Sequence, residues 1–506
     1  MIVGGGAAGW LTAALLAKDH CATESGGVAV TLVESPSVAI LGVGEGTWPT
    51  MRETLRRGGL SEREFITECD ASFKQGTRFD GWRNGAEDDR FYHPFTAPAA
   101  YGEIEWASLW KTLGARSYAD AACAQTRLCD QGRAPKQFAT PDYAAVATYG
   151  YHLDAVKFAG LLKRHCIDRL GVHFISDHVA GVEAREDGSI AAIVCAEHGP
   201  LSADLFVDCS GMGAILIGRH FDVGFVDRGG VLPNDSALAV QLPYEDETAP
   251  IASQTISTAQ EAGWIWDIGL PGRRGVGYVY ASAFASEEQA ARTLSAYVAR
   301  THPNAEDLVA RSARTIKFES GYRRSFWRGN CVAVGMAAGF IEPLEASALV
   351  MIELSAEAIS RALPRCHAGM AAAAARFNEQ FSYRWERIID FLKLHYTLSR
   401  RREPYWAAHR DPASTPDRLR GLLADWVHQP PSRDDFPRLD EIFSAPSYHY
   451  ILYGMDFETE PRRTAVRAHE RATHVHAETR ANAEKLLRGL PSNRELISHL
   501  RGDPHV

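Results

Sequence analysis

The chain opens Met1-Ile2-Val3-Gly4-Gly5-Gly6-Ala7-Ala8-Gly9-Trp10, and an apolar helical pattern continues to Ala17. A short apolar strand, a glycine turn and a helix, in that order, are the parts of a dinucleotide-binding unit. The glycines permit the tight turn and let a pyrophosphate approach the helix N-terminus, whose first N–H groups lack intrahelical partners. Gly4, Gly6, Ala7 and Gly9 are therefore candidate cofactor contacts. The glycine pattern is weak by itself, but its surroundings support it. Val28-Ala29-Val30-Thr31-Leu32-Val33 reads as a second strand and ends in Glu34, a carboxylate at the spacing expected for accepting ribose hydroxyls. A first strand of two or three residues is short, which leaves room for a native start upstream of Met1.

Composition narrows the class. The chain has 506 residues, 45% hydrophobic and 23% charged, enough for two or three domains around a large core. Its net charge of -9 and its lack of a Lys/Arg block argue against nucleic-acid binding and for small-molecule partners. Nine cysteines without CxxC pairs or ligand spacing suggest reduced thiols of a cytoplasmic enzyme and no metal site. No apolar run has membrane-spanning length, and no signal segment is visible.

Further along, Leu41-Gly42-Val43-Gly44-Glu45-Gly46-Thr47-Trp48-Pro49 is a glycine-broken loop able to pass close over a ligand. A helix-like stretch from Met51 leads to Ser72-Phe73-Lys74-Gln75-Gly76-Thr77-Arg78-Phe79. A single lysine is ordinarily solvated. Between Phe73 and Phe79, Lys74 is also readable as a partly buried amine, a strong donor and a potential nucleophile. Residues 86–139 read as irregular and aromatic, a pocket wall or lid that includes His93 and Phe95. Tyr151 to His165 reads as helix, Val172 to Ile175 as strand, Asp187-Gly188 as a hairpin turn, and Ala203 to Gly211 as a strand returning to the nucleotide layer.

From Ser236 to about Thr315 strands alternate with loops around Gly263-Trp264-Ile265-Trp266-Asp267-Ile268-Gly269-Leu270-Pro271. Period two sets Trp264, Trp266 and Ile268 on one face, with Ile265 and Asp267 behind. Cys331 to Val334 reads as a buried strand and Ala348 to Ala362 as a long helix. Between them, Gly339-Phe340-Ile341-Glu342-Pro343-Leu344-Glu345-Ala346-Ser347 forms a strand-to-helix junction whose first amides suit an anion, although a capped helix on a sheet is the plainer reading. Residues 371–402 and 464–500 read as largely helical. The expected fold is α/β: an FAD-binding, Rossmann-like dinucleotide fold of the flavin monooxygenase type, with an inserted β-rich substrate layer and a C-terminal helical cap. The FAD module covers 1–85, 140–215 and 316–370, the substrate-side sheet and lid 86–139 and 216–315, and the helical subdomain 371–506. No second glycine motif for a nicotinamide is visible.

Taken together, Gly4 to Gly9, Gly44-Glu45-Gly46-Thr47, Phe73-Lys74-x-Gly76, Trp264-x-Trp266-x-Ile268 and Pro343-Leu344-Glu345-Ala346-Ser347 resemble the flavin-dependent halogenases of the tryptophan halogenase family, nearly end to end. The lysine and the tryptophan pair are the more specific elements, since flavin monooxygenases share the nucleotide fold without them. The resemblance implies FAD used as FADH2, with O2 and chloride or bromide, and hypohalous acid passing through a tunnel to an electron-rich aromatic substrate. It implies a separate NAD(P)H-dependent flavin reductase and leaves a homodimer open. Trp264, Trp266 and Ile268 would form the wall that prevents direct oxygen transfer. Lys74 would receive hypohalous acid, as a hydrogen-bond donor or as a haloamine, and Glu345 would polarise the halogenating species or take the proton lost on substitution. Ser347 and Ala348 match the halide site. Ser35, Val38, Leu41, Val43 and Gly46 match FAD positions, with Val179 and Met336 on less similar flanks. His93, Phe95, Phe443 and Tyr448 are tunnel or substrate candidates.

Two departures stand out. Ile268 is followed by Gly269 where the family has proline, which suggests a looser strand exit, and Ala346 replaces the serine common in enzymes acting on free tryptophan. Around Phe436 to Tyr453 no counterpart of the glutamate that grips the amino-acid part of tryptophan is found, so an indole, a phenol or a larger aromatic is at least as well suited. The alternative function is a flavin-dependent aromatic hydroxylase. The resemblance further implies that Lys74 and Glu345 lie together on the side of the tryptophan wall away from the flavin.

Overall fold

The computed structural model describes every residue except 39–41, 43, 303–304, 365, 439–440, 463 and 504–506. The chain forms two compact units, Met1–Ala71 with Leu153–Arg228 and Glu319–Trp385, and Ser72–His152 with Gly229–Phe318 and Glu386–Val506. Boundaries expected near 85, 140, 215, 316 and 370 thus fall at 71, 153, 228, 319 and 385, and residues 386–506 group with the strands of the second unit.

In the first unit a six-stranded sheet runs in the order Trp327–Arg328, Cys331–Ala333, Phe206–Asp208, Ile2–Val3, Thr31–Glu34, His173–Ser176. All neighbours are parallel except the edge pair Trp327–Arg328 with Cys331–Ala333. From the central strand Ile2–Val3 the chain passes to Thr31–Glu34 on one side and Phe206–Asp208 lies on the other. This change of direction opens a crevice at the carboxyl ends of the strands, the usual ligand position in such sheets. Helix Ala7–Asp19 is buried from Gly9 to Ala17, as its near-uniform apolar sequence requires, and it packs against helices Ala155–Leu170 and Ser347–Ala362. The hairpin expected at Asp187-Gly188 joins antiparallel strands Val179–Ala184 and Ile190–Cys195.

One helix expectation needs correction. Tyr151 to His165 is not a continuous helix: Gly150–Leu153 is a strand, and helix Ala155–Leu170 starts only after Asp154. The Asp154 carboxylate accepts from the N–H groups of Val156 and Lys157, at 3.0 and 3.1 Å, and so caps the later start.

The second unit is built on a seven-stranded sheet ordered Arg314–Lys317, Ser236–Pro243, Arg273–Tyr280, Gly263–Gly269, Thr255–Gln260, Gly76–Asp80, Arg90–Pro94. Only Thr255–Gln260 and Gly76–Asp80 pair in parallel. Residues 86–139 are more regular than expected. They hold the edge strand Arg90–Pro94 and the helices Trp106–Leu109, Tyr118–Ala122 and Gln125–Asp130. Helices this short depend on packing rather than on intrinsic propensity, so no periodic signal announces them.

The period-two reading of Gly263–Gly269 holds. Ile265 joins Leu238 and Tyr278 in a core closed by helices Glu287–Val298 and Ala305–Ser312. On that face the buried Asp267 carboxylate is paired with the Arg274 guanidinium, Nε at 3.0 Å, and accepts from the Tyr297 hydroxyl at 2.9 Å. The strand exit is not loose: Gly269 still pairs with Arg274, and the Ser72 hydroxyl donates to the Gly269 carbonyl at 2.5 Å. All nine cysteines are free thiols, with only Cys21 and Cys366 exposed. Among the described residues no helix is long and apolar enough to cross a membrane, and no cluster of three or more His, Cys, Asp or Glu could hold a metal ion.

The Trp266 ring occupies the space where a side chain at Gly277 would stand. Gly277→Ala should therefore displace the indole and destabilise the protein by about 1–3 kcal/mol, the usual cost of overpacking a core. Thermal denaturation should show a lowered midpoint, with the loss of tryptophan packing visible in near-UV circular dichroism.

Candidate functional site

The first unit holds a cavity of about 730 Å³, in the size range of a small-molecule or cofactor site. Gly4, Gly6 and Ala7 line it where helix Ala7–Asp19 begins. That helix start has no side-chain cap and no acidic residue in its first turn, so its amides are arranged for an anion. Gly9 does not line the cavity. A Cβ there would collide with the Gly4 carbonyl, so its task is to let the turn close. Glu34, Ser35 and Val38 line the same cavity, with Val179 and Met336. The Glu34 carboxylate is anchored by the Lys163 ammonium at 2.6 Å. Gly46 is absent from the lining, where its neighbour Glu45 stands instead, and Leu41 and Val43 lie outside the described residues.

Sequence reasoning missed other parts of this wall. Asp177 and His178 contribute beside Val179. The buried Asp177 carboxylate accepts from the His178 N–H at 2.7 Å and from His198 Nδ1 at 2.7 Å, while Ser35 Oγ contacts His178 Nδ1 at 3.0 Å. Ser210 to Gly213 and Arg219 also line the cavity. Their loop is folded around Asp208, whose carboxylate accepts from Ser210 Oγ at 2.6 Å and from the N–H groups of Leu216 and Ile217 at 2.9 and 2.8 Å. An acidic residue closing a strand two positions before a serine, Asp208-Cys209-Ser210, was the available signal.

The strand-to-helix junction closes the opposite side. Pro343 to Ala346 form a turn, Ala346 N–H to Pro343 O at 3.0 Å, and Ala346 sits in the left-handed region at φ 54°. Helix Ser347–Ala362 then starts with no side-chain cap, and Ser347 and Ala348 both line the cavity. The plainer expectation of a side-chain-capped helix is thereby corrected. Glu345 is buried, and its carbonyl accepts from Trp48 Nε1 at 2.7 Å. In the second turn of this helix, burial pushes the Glu353 carboxyl up to about 8, and Thr54 Oγ1 donates to it at 2.5 Å. A crevice with a glycine turn, an anchored carboxylate and two uncapped helix starts fits a dinucleotide such as FAD, together with a small anion.

The remaining predicted residues belong to the second unit. Lys74 ends the strand Ser72–Lys74, which pairs antiparallel with Gly150–Leu153. It is only 1% exposed, so it is neither the solvated lysine nor the partly buried amine expected, but fully enclosed. Its ammonium lies 5.5 Å from the centroid of the Phe95 ring, within cation–π range. Gly76 explains the motif that follows it: at φ 149° a Cβ would collide with the His93 carbonyl, so glycine lets His93 and Pro94 pair closely with the strand Gly76–Asp80 that follows the lysine. His152 stands on the facing strand, buried, with Nε2 2.8 Å from Thr255 Oγ1. Burial, reinforced by the Lys74 charge, holds this imidazole well below its ordinary pKa and therefore neutral.

His93, Phe443 and Tyr448 converge on Phe391, a residue the sequence reading did not select. The Phe443 ring stacks on it at 3.7 Å, Tyr448 meets it edge-on at 4.9 Å and His93 lies at 5.6 Å. Trp264 and Trp266 pack edge to face at 6.4 Å, and with Ile268 they are buried.

Comparison with known proteins matches this arrangement. Residues 1–471 match the tryptophan halogenase family model. The chain is 32% identical to the 7-chloro-L-tryptophan 6-halogenase KtzR of a Kutzneria strain, over 99% of both chains. It is 34% identical to the tryptophan 6-halogenase SttH of Streptomyces toxytricini, over 89% of this chain and 87% of that one. The crystal structure of a tryptophan halogenase from Shewanella frigidimarina superposes with a TM-score of 0.94 at 43% identity, covering 99% of this chain and 97% of the other. With the cavity, the junction and the buried lysine in place, the chain belongs to the tryptophan halogenase family.

Proposed function

We propose that this flavin-dependent halogenase chlorinates or brominates an electron-rich indole, with Lys74 delivering the halogen and Glu345 removing the proton. Aromatic hydroxylation is the less favoured reading. The observation that carries the proposal is the complete burial of Lys74 with its ammonium over the Phe95 ring, since an enclosed amine has no solvation role to fill. When bound, reduced FAD would supply two of the four electrons that reduce O2, the halide giving the other two, so that hypohalous acid and water form. Gly4, Gly6 and Ala7 would hold the pyrophosphate, Glu34 the ribose, Ser35, Val38, Val179 and Met336 the rest of the cofactor, and the Ser347 and Ala348 amides the halide. Trp264, Trp266 and Ile268 would keep the aromatic substrate from the flavin, so that only a small oxidant passes. The Lys74 ammonium would donate to the oxygen of hypohalous acid; alternatively its deprotonated amine would take the halogen on nitrogen, the displaced hydroxide leaving as water with the amine's proton. As the aromatic carbon bonds to the halogen, Glu345 would accept the proton from that carbon and restore aromaticity. The single glycine motif supports supply of the cofactor by a separate NAD(P)H-dependent flavin reductase.

The test combines FAD, NADH, a flavin reductase, oxygen and bromide or chloride with a panel of indoles and phenols, and reads products by mass. The wild type should yield halogenated product, and Lys74→Ala and Glu345→Gln should each lower the rate by about 10²- to 10⁴-fold. Halogenation that survives Lys74→Ala removes the lysine from the mechanism, and hydroxylated product without halide supports the hydroxylase reading.

Glu45 adds a pH dependence. Desolvation pushes its carboxyl up to about 7 at the cavity wall, so it is largely neutral in mild acid and becomes anionic as pH rises. A new negative charge should repel an anionic cofactor and weaken FAD binding by about three- to tenfold between pH 6 and 8.5. Flavin fluorescence titrations should show this trend in the wild type and a flatter one in Glu45→Gln.

A further inference from the structure

The Lys74 strand is held from an unexpected place. Asn493, the first residue of helix Asn493–Arg501, is fully buried, and its Nδ2 donates to the Phe73 carbonyl at 3.1 Å and to the Ala252 carbonyl at 3.2 Å. Two carbonyls cannot pair with each other. They need one group with two donors, and a primary amide supplies this. The Asn493 backbone is itself fixed, N–H to Gly132 O at 2.7 Å, beside the bridge between Arg133 and Ser492. The Arg133 carbonyl in turn accepts from Gln75 Nε2 at 2.6 Å and from Ser253 Oγ at 2.8 Å, and the Ser253 carbonyl accepts from the Gln75 N–H at 2.7 Å.

The consequence for Lys74 is geometric. The peptide plane before its Cα is tied through the Phe73 carbonyl to Asn493, and the plane after it is tied through the Gln75 N–H to Ser253. Fixing both planes fixes φ and ψ at Lys74, and with them the direction in which the side chain leaves the strand. We infer that Asn493 is a positioning residue for Lys74, acting through the Phe73 carbonyl, and that the C-terminal helix thereby sets the aim of the halogen relay. This rests on the reading of Lys74 as that relay. Asn493 lies beyond residue 471, where the match to the family model stops.

The test compares Asn493→Ala, Asn493→Ser and Asn493→Asp with Ile497→Val, a buried change on the same helix that costs stability and leaves the two Asn493 amide hydrogen bonds in place. Full-length enzyme is supplied with reduced FAD, oxygen, bromide and an indole, and both brominated indole and hypobromous acid caught by a soluble thioether are measured. Asn493→Ala should lower kcat for brominated indole about 10- to 100-fold, as sub-ångström misplacement of a reacting group does, with KM for the indole unchanged and more hypobromous acid reaching the thioether. Asn493→Ser, which keeps one donor, should fall between Ala and wild type and serves if the Ala variant does not fold. Asn493→Asp, which presents acceptors to two carbonyls, should be at least as impaired as Ala. Ile497→Val should lower the melting temperature with no change in the partition between indole and thioether. A wild-type partition in folded Asn493→Ala or Asn493→Ser, while Lys74→Ala is inactive, overturns this inference alone. Full activity in Lys74→Ala overturns it together with the assignment of the lysine.

Discussion

Two helices begin without side-chain caps at the same cavity, Ala7–Asp19 and Ser347–Ala362, and the first unit is organised around that fact. A helix N-terminus leaves several N–H groups without intrahelical partners. Proteins usually meet that need with a serine, threonine or aspartate, as this chain does at Ser286, Ser492 and Asp154. At the two cavity-facing starts it does not, and the preceding residues are Gly6 and Ala346, which have no side-chain acceptor to offer. Those N–H groups are left open to an anion, so ligand binding would draw on the same groups that a capping side chain otherwise satisfies. The arrangement of the remaining sheet, with Ile2–Val3 at its centre, serves to bring both starts to one crevice.

The second unit answers a different problem, that of keeping an amine out of water. An enclosed lysine is expensive unless its surroundings hold it in place. Here the Phe95 ring provides a face, His152 is neutral and adds no competing charge, and the backbone on both sides of the lysine is bonded to other segments. Phe391, with the rings of Phe443, Tyr448 and His93 packed on it, forms a further buried aromatic cluster in the same unit.

How much of this was legible follows from how local each feature is. The glycine turn, the second strand and Glu34 lie within one stretch of chain, and their spacing alone carried the nucleotide fold. The tryptophan pair was legible for the same reason, because period two is a property of a single strand. The burial of Lys74 was not, since it depends on Phe95, His152, Thr255 and Asn493, which the sequence keeps far apart. The start of helix Ala155–Leu170 was misread although a signal, the capping Asp154, was present, because the apolar period runs back past it through Tyr151. Phe391 went unnoticed since a phenylalanine in a long helix carries no mark that distinguishes core from pocket.

Each of the two units is assembled from three separated stretches, and the second is completed only by residues 386–506. The parallel pairing of Gly76–Asp80 with Thr255–Gln260, and the bonds from residue 493 back to residue 73, are contacts of long sequence separation. A chain emerging from the ribosome can form the glycine turn early, but it cannot finish the surroundings of Lys74 until helix Asn493–Arg501 has been synthesised. An interrupted translation product therefore carries the glycine turn while the Lys74 strand still lacks its anchoring amide. The order of assembly makes the surroundings of that lysine wait on the synthesis of Asn493.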